Sequence, residues 1–221
     1  MDPLFNPVEA RVIATLVEKQ ITTPNNYPLT LASLTTACNQ KSNRHPVTCL
    51  TEEDVVRALF PLREMNIAWE KAPAGSRVMK YSHDISQKFD FTDPQLAVMC
   101  ELMLRGPQTA GELRTRCERM HPLGDISQAA EVVQSLVDFE DSPLIVKLPR
   151  EPGRRDSRYA HLLCGEPEIS DAPVDIAPNA AVVAVRAENE RIAELEKTVQ
   201  DLQENFAELT QQFAEFKEQF E

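Results

Sequence analysis

The chain predicts a mainly α protein with small β-hairpins, an α+β fold made of two tandem winged-helix domains plus a C-terminal coiled-coil helix. Three observations predict it: three helix signals that end in a hairpin signal, a looser second copy of that run, and an apolar heptad near the end. The expected boundaries are 1–89 and 90–166 for the two units, 167–180 for a Pro-rich acidic linker and 181–221 for the coiled coil.

The first helix is expected to start at Asn6-Pro7. Asn can cap the orphan N–H groups, Pro at the first helical position loses no hydrogen bond, and Glu9 can reach back to complete a box. Val12, Ile13, Leu16 and Val17 follow as an apolar stripe at helical spacing. Pro24 and Pro28 bound the loop TTPNNYP, since the residue before proline avoids helix. Thr30 then caps a second helix that buries Leu31, Leu34 and Cys38. It ends in a polar knot, Asn39, Gln40, Lys41, Ser42, Asn43 and Arg44. Thr51 opens a third helix, where Glu52, Glu53 and Asp54 suit the positive end of the dipole. Val55, Val56, Leu59 and Leu62 make its expected buried side. Alternation around a Pro/Gly centre from Ile67 to His83 signals a hairpin. Three helices and a hairpin are the winged-helix plan.

The second unit repeats that plan. Asp93-Pro94 matches Asn6-Pro7, Leu113 and Cys117 match Leu34 and Cys38, and Val132, Val133 and Leu136 match Val55, Val56 and Leu59. RYAH at Arg158–His161 matches KYSH at Lys80–His83. Duplication supports each half's assignment.

Beyond Glu166 the prolines Pro167, Pro173 and Pro178 stand among acids, a composition that resists packing. In the heptad, Val185, Ile192, Val199, Phe206, Phe213 and Phe220 take position a, and Leu195, Leu202, Leu209 and Phe216 take d. Such a seam predicts self-association through Ile192, Leu195, Val199, Leu202, Phe206, Leu209, Phe213 and Phe216, and hence a homodimer. Packing of the same stripe on its own chain is the alternative.

The formal charge of −12 is unevenly spread. Residues 1–91 carry ten Lys/Arg against ten Asp/Glu, residues 92–166 nine against twelve, and residues 167–221 four against thirteen. The two units are therefore near neutral, and their faces are not set by the global balance. Five scattered cysteines without C-x-x-C point to a reducing cytoplasm. Neither a signal-peptide pattern nor a membrane-spanning apolar run stands out.

The stretch TTPNNYPLTLASLTTACNQKSNRHPV, the phrase LMLRGPQTAGELRTR and the wing LPREPGRRDSRYAHLLCG together resemble the YceH-like family of uncharacterised bacterial proteins. The match runs from about Phe5 to Gly165. The resemblance implies a dimeric tandem winged-helix protein of a bacterial cytoplasm. It brings no reaction or cofactor to transfer.

No phosphate-loop, dinucleotide, zinc-protease or serine-hydrolase motif is present. The expectation is a non-enzymatic protein without cofactor or metal. His83 and His161 recur two residues after Tyr81 and Tyr159, and are read as packing residues of the returning wing strand. Winged helices usually read DNA with the third helix, but here that helix opens with three acids, and residues 125–146 contain no Lys or Arg. Contact with the DNA backbone is instead expected from Lys41, Asn43, Arg44, Arg77, Lys80, Arg150, Arg154, Arg155 and Arg158. The alternative is a protein–protein scaffold or adaptor with no direct DNA binding.

Overall fold

The computed structural model describes residues 3–72, 78–139, 142–150, 153 and 156–167. Helix α1 (Pro7–Thr22) starts as its residues dictate. Asn6 Oδ1 accepts the N–H groups of Val8 and Glu9, each at 2.9 Å, and Glu9 accepts from the Asn6 N–H at 2.8 Å. Its middle is enclosed on every side, with Val12, Ile13, Ala14, Leu16 and Val17 at 0% exposure. Strand β1 (Leu29–Thr30) leads into α2 (Leu31–Cys38), capped by the Thr30 hydroxyl, which accepts from the Ser33 N–H at 3.2 Å. A box between Thr51 and Asp54 starts α3 (Glu52–Glu64). Strands β2 (Ala68–Lys71) and β3 (Lys80–His83) pair antiparallel, and β1 adds to the far edge of β3 to give the order β1-β3-β2.

The second half follows the same order: α4 (Asp93–Arg105), α5 (Ala110–Cys117), α6 (Ile126–Val137), and the antiparallel pair β4 (Ile145–Lys147) and β5 (Tyr159–His161). Where Leu29 of β1 pairs with Tyr81, a single bridge joins Gln108 to Tyr159. The buried pairs Leu34/Cys38 and Leu113/Cys117 recur as the repeat requires. Gly106, with φ of 73°, stops α4 in a conformation that disfavours residues with a Cβ.

Three details differ from expectation. The N-cap of α4 is Thr92, whose N–H is bonded by Gln95 Oε1 at 3.0 Å, so Pro94 takes the second helical position. Val56 is 45% exposed, because the inner stripe of α3 runs through Val55, Leu59 and Leu62 at spacings of four and three. Counted from the caps Thr51 and Asp125, the equivalent inner residues of α6 are Ala129, Val133 and Leu136, all buried; Val132 lies outside that row, half-buried.

The core belongs to both halves. Helices α1 and α4 pack together, and a single apolar cluster runs from Phe5 through Leu16 and Leu34 to Met99, Leu104 and Leu136. Backbone bonds tie the halves further: the N–H groups of Leu4 and Phe5 share the Leu163 carbonyl, each at 2.9 Å, and the His45 N–H reaches the Leu104 carbonyl at 2.9 Å. These elements form an α+β fold consistent with the tandem winged-helix plan.

Candidate nucleic-acid interface

The polar knot is mostly a fastener. Arg44 is 5% exposed, and its guanidinium donates to both Glu18 carboxylate oxygens, at 2.7 and 3.3 Å, and to the Ala37 carbonyl at 3.0 and 3.2 Å. Burial pushes the Glu18 carboxyl up, but the hydrogen bonds and charges of Arg44 and Lys19 outweigh it and hold the group below its ordinary value. Arg44 is therefore withdrawn from any phosphate, which corrects its expected role as a contact residue. Asn43 takes the left-handed region at φ 57°, and its Oδ1 accepts from Arg105. Asn39 clasps the loop by accepting from the Leu50 N–H at 2.8 Å and donating to the Leu50 carbonyl at 2.7 Å. Only Lys41 of the expected contacts here is exposed.

The partners beneath this knot come from distant positions in the chain. Arg11, 5% exposed, donates to the Pro46 carbonyl at 2.9 Å, while burial lowers its pKa. Glu101, on α4, is 3% exposed with Arg105 Nε at 3.1 Å. Burial nevertheless pushes its carboxyl up to about 6, because the attraction of Arg105 only partly offsets desolvation. Sequence reasoning missed both residues; a charged side chain next to or inside the apolar run of its helix was the available signal.

In the first wing, Lys71 of β2 and Lys80 of β3 stand directly opposite each other on the ladder. Like charges so placed repel, by up to about 1 kcal/mol. Trp69 lies on the same face, two residues along β2, and is 41% exposed. Among the described residues, no carboxylate forms an ion pair with either lysine. Arg77 lies outside the described residues, as do Arg154, Arg155 and the whole heptad.

The second wing frames a cleft of about 230 Å³. Lys147 and Arg150 come to it from β4 and the chain beyond, Ser157 and Tyr159 from the return, and Ala110 and Gly111 from the first turn of α5. Lys147 Nζ lies 6.0 Å from the Tyr159 ring centre. Asp156 also lines the cleft and opposes anions there, leaving two cations against one carboxylate. Arg158 is half-buried, and its charge acts on Glu112 of α5. Burial raises the Glu112 carboxyl, but the Thr109 N–H and the charges of Arg116 and Arg158 outweigh it and hold it low.

His83 and His161 sit at matching places on β3 and β5. Burial lowers both to about 4. His83 Nδ1 accepts from the Ile85 N–H at 3.4 Å, which leaves the ring proton on a buried Nε2 without a bonding partner. The thiols of Cys38, Cys100 and Cys117 are buried and pushed up by that burial. Among the described residues, no group of three His, Cys, Asp or Glu side chains could hold a metal ion, and no helix is long and apolar enough to cross a membrane.

A mainly helical α+β protein with two small antiparallel sheets is the class these features define. Residues 5–154 match the family described as "Protein of unknown function, DUF480", and the chain belongs to that family. It is 52% identical over 199 residues to a UPF0502 protein of Geobacter sulfurreducens, covering 90% of each chain. It is 45% identical over 200 residues to a UPF0502 protein of Aliivibrio fischeri, covering 89% of this chain and 90% of the relative. The YceH-like label fits this uncharacterised bacterial family.

Proposed function

We propose that this protein is a non-enzymatic, cytoplasmic regulator that binds duplex DNA through its wings, gripping the backbone and not reading base edges. The observation that carries this reading is the pairing of cations on each wing: Lys71 with Lys80 on one, Lys147 with Arg150 on the other. A repulsive cross-strand lysine pair is relieved when a phosphate lies over it. The third helices support the same division of labour, since α3 begins with Glu52, Glu53 and Asp54 and α6 carries no Lys or Arg. In this reading the heptad from Ile192 to Phe216 pairs two chains, so that a dimer presents four wings.

Fluorescence anisotropy with random duplex DNA tests it. Binding is expected at about 50 mM salt, weakening steeply as salt rises. The double variant K147E/R150E, like K71E/K80E, is expected to flatten the log–log salt dependence by about 2, one unit for each phosphate no longer gripped. Absence of binding at low salt sinks the proposal and leaves the adaptor reading, which the outer face of α3 favours independently.

A further inference from the structure

Phe60 is 67% exposed and Val56 45% exposed, one helical turn apart on α3. The next residue of that flank, Arg63, forms a 2.6 Å ion pair with Glu70 of β2. Glu70 in turn accepts from the Tyr81 hydroxyl at 3.1 Å, and Met79, just before β3, is 39% exposed. An apolar stripe thus borders the junction of α3 with the first wing.

Fold repetition does not demand this stripe. Counted from the caps, the positions of Val56 and Phe60 correspond to Ala130 and Gln134 on α6, both exposed and neither bulky and apolar. The rim is acidic. Glu52, Glu53 and Glu64 are exposed, Arg57 is held by Asp54 at 3.1 Å and Glu53 at 3.6 Å, and Arg63 is taken by Glu70.

We propose that this face of α3 docks a basic amphipathic helix of another protein, its apolar residues on Val56 and Phe60 and its Lys/Arg residues towards the carboxylates. Charge complementarity selects that occupant. DNA meets the acids as like charges. A two-fold contact with a second copy sets the same carboxylates against each other. Residues 167–221 of this chain, with thirteen acids to four bases, match the rim in sign and are repelled. Docking at this face does not depend on DNA binding by the wings.

The test uses the isotopically labelled full chain and two short synthetic helices, each with leucines at i, i+3, i+4 and i+7, one with lysines elsewhere and one with glutamates. Amide shifts on α3 and β2–β3 are expected with the lysine helix alone. Phe60→Ser, and separately Val56→Ser, should weaken that binding about tenfold or more, as should E52K/E53K. Both side chains are exposed, so circular dichroism should be unchanged. Absence of binding, shifts confined to other elements, or indifference to Phe60→Ser overturns the proposal. So does a fall in oligomeric mass in Phe60→Ser, which makes a second copy the occupant, or a loss of DNA affinity, which makes it DNA.

Discussion

At residue scale, Arg44 joins a helix end, a loop and a buried carboxylate in one set of hydrogen bonds. Its loss leaves Glu18, 4% exposed, charged among apolar neighbours with only Lys19 beside it at 3.3 Å. Breaking a buried pair by removing one partner costs roughly 3–5 kcal/mol, because the remaining charge keeps its desolvation penalty. Arg44→Ala is therefore expected to lower the unfolding free energy by about that amount in urea titrations. Lys41→Ala, three residues away and exposed, should change it by less than about 0.5 kcal/mol. A replacement of both partners, Glu18→Gln with Arg44→Met, should recover a large part of the loss. An Arg44→Ala effect as small as that of Lys41→Ala would show that the pair is not what closes the knot. From sequence, Arg44 and Lys41 look alike as cations in one polar run. What separates them is the presence of Glu18 below, 26 residues distant in the chain.

At element scale, the wing strands β3 and β5 each end in a half-buried histidine, and their neutral forms belong to the fold. A histidine whose folded pKa is lowered from 6.5 to about 4 contributes stability above pH 6.5 that is lost as pH falls towards 4. Each shift corresponds to at most about 3 kcal/mol. Glu101 acts in the opposite sense: raised to about 6, it favours the fold below its ordinary value and loses that contribution as pH rises through 6, worth about 2 kcal/mol. Two histidines outweigh one glutamate, and the lowered carboxyls of Glu18 and Glu112 act in the same sense as the histidines, so unfolding free energy should fall by on the order of 4 kcal/mol between pH 6.5 and 4. Denaturant midpoints along that range check it. His83→Asn, which keeps an acceptor for the Ile85 N–H, combined with His161→Leu, should flatten the profile; an unchanged slope would rule the histidines out. The recurrence of these residues two places after a tyrosine is visible in the sequence, and their packing role follows from strand alternation. Helix starts are equally legible, since Asn6, Thr30 and Thr51 act within a few residues of themselves. The inner face of α3 is harder to read. Val55 and Val56 are chemically equal, and it is the row that Val55 shares with Leu59 and Leu62, packed towards α1 and α2, that decides which is inside.

At the scale of the whole molecule, the apolar cluster shared by α1 and α4 gives the two repeats one core, and the proposed dimer calls for a seam outside it. The heptad offers it: Ile192 and Val199 at a with Leu195 and Leu202 at d are the combination that favours a parallel two-stranded seam. Farther on, Phe206 and Phe213 fill a with larger rings and Leu209 and Phe216 fill d, so the apolar seam continues. Thirteen acids against four bases in residues 167–221 work against pairing at low ionic strength, and salt screens that repulsion over a Debye length of about 8 Å at physiological strength. The proposed function thus predicts two opposite salt responses in one protein, DNA contact weakening with salt and tail pairing strengthening. Light scattering of the full chain should give twice the 24.9 kDa chain mass, holding better at about 150 mM salt than at about 50 mM. Deleting residues 181–221 should leave a particle of one shortened chain, lighter than half the full-length dimer because 41 residues per chain are removed as well, with the thermal unfolding of the remaining chain nearly unchanged. A mass still twice that of the shortened chain would assign dimerisation to the helical units themselves. A large loss of thermal stability would instead mean that the heptad packs on its own chain.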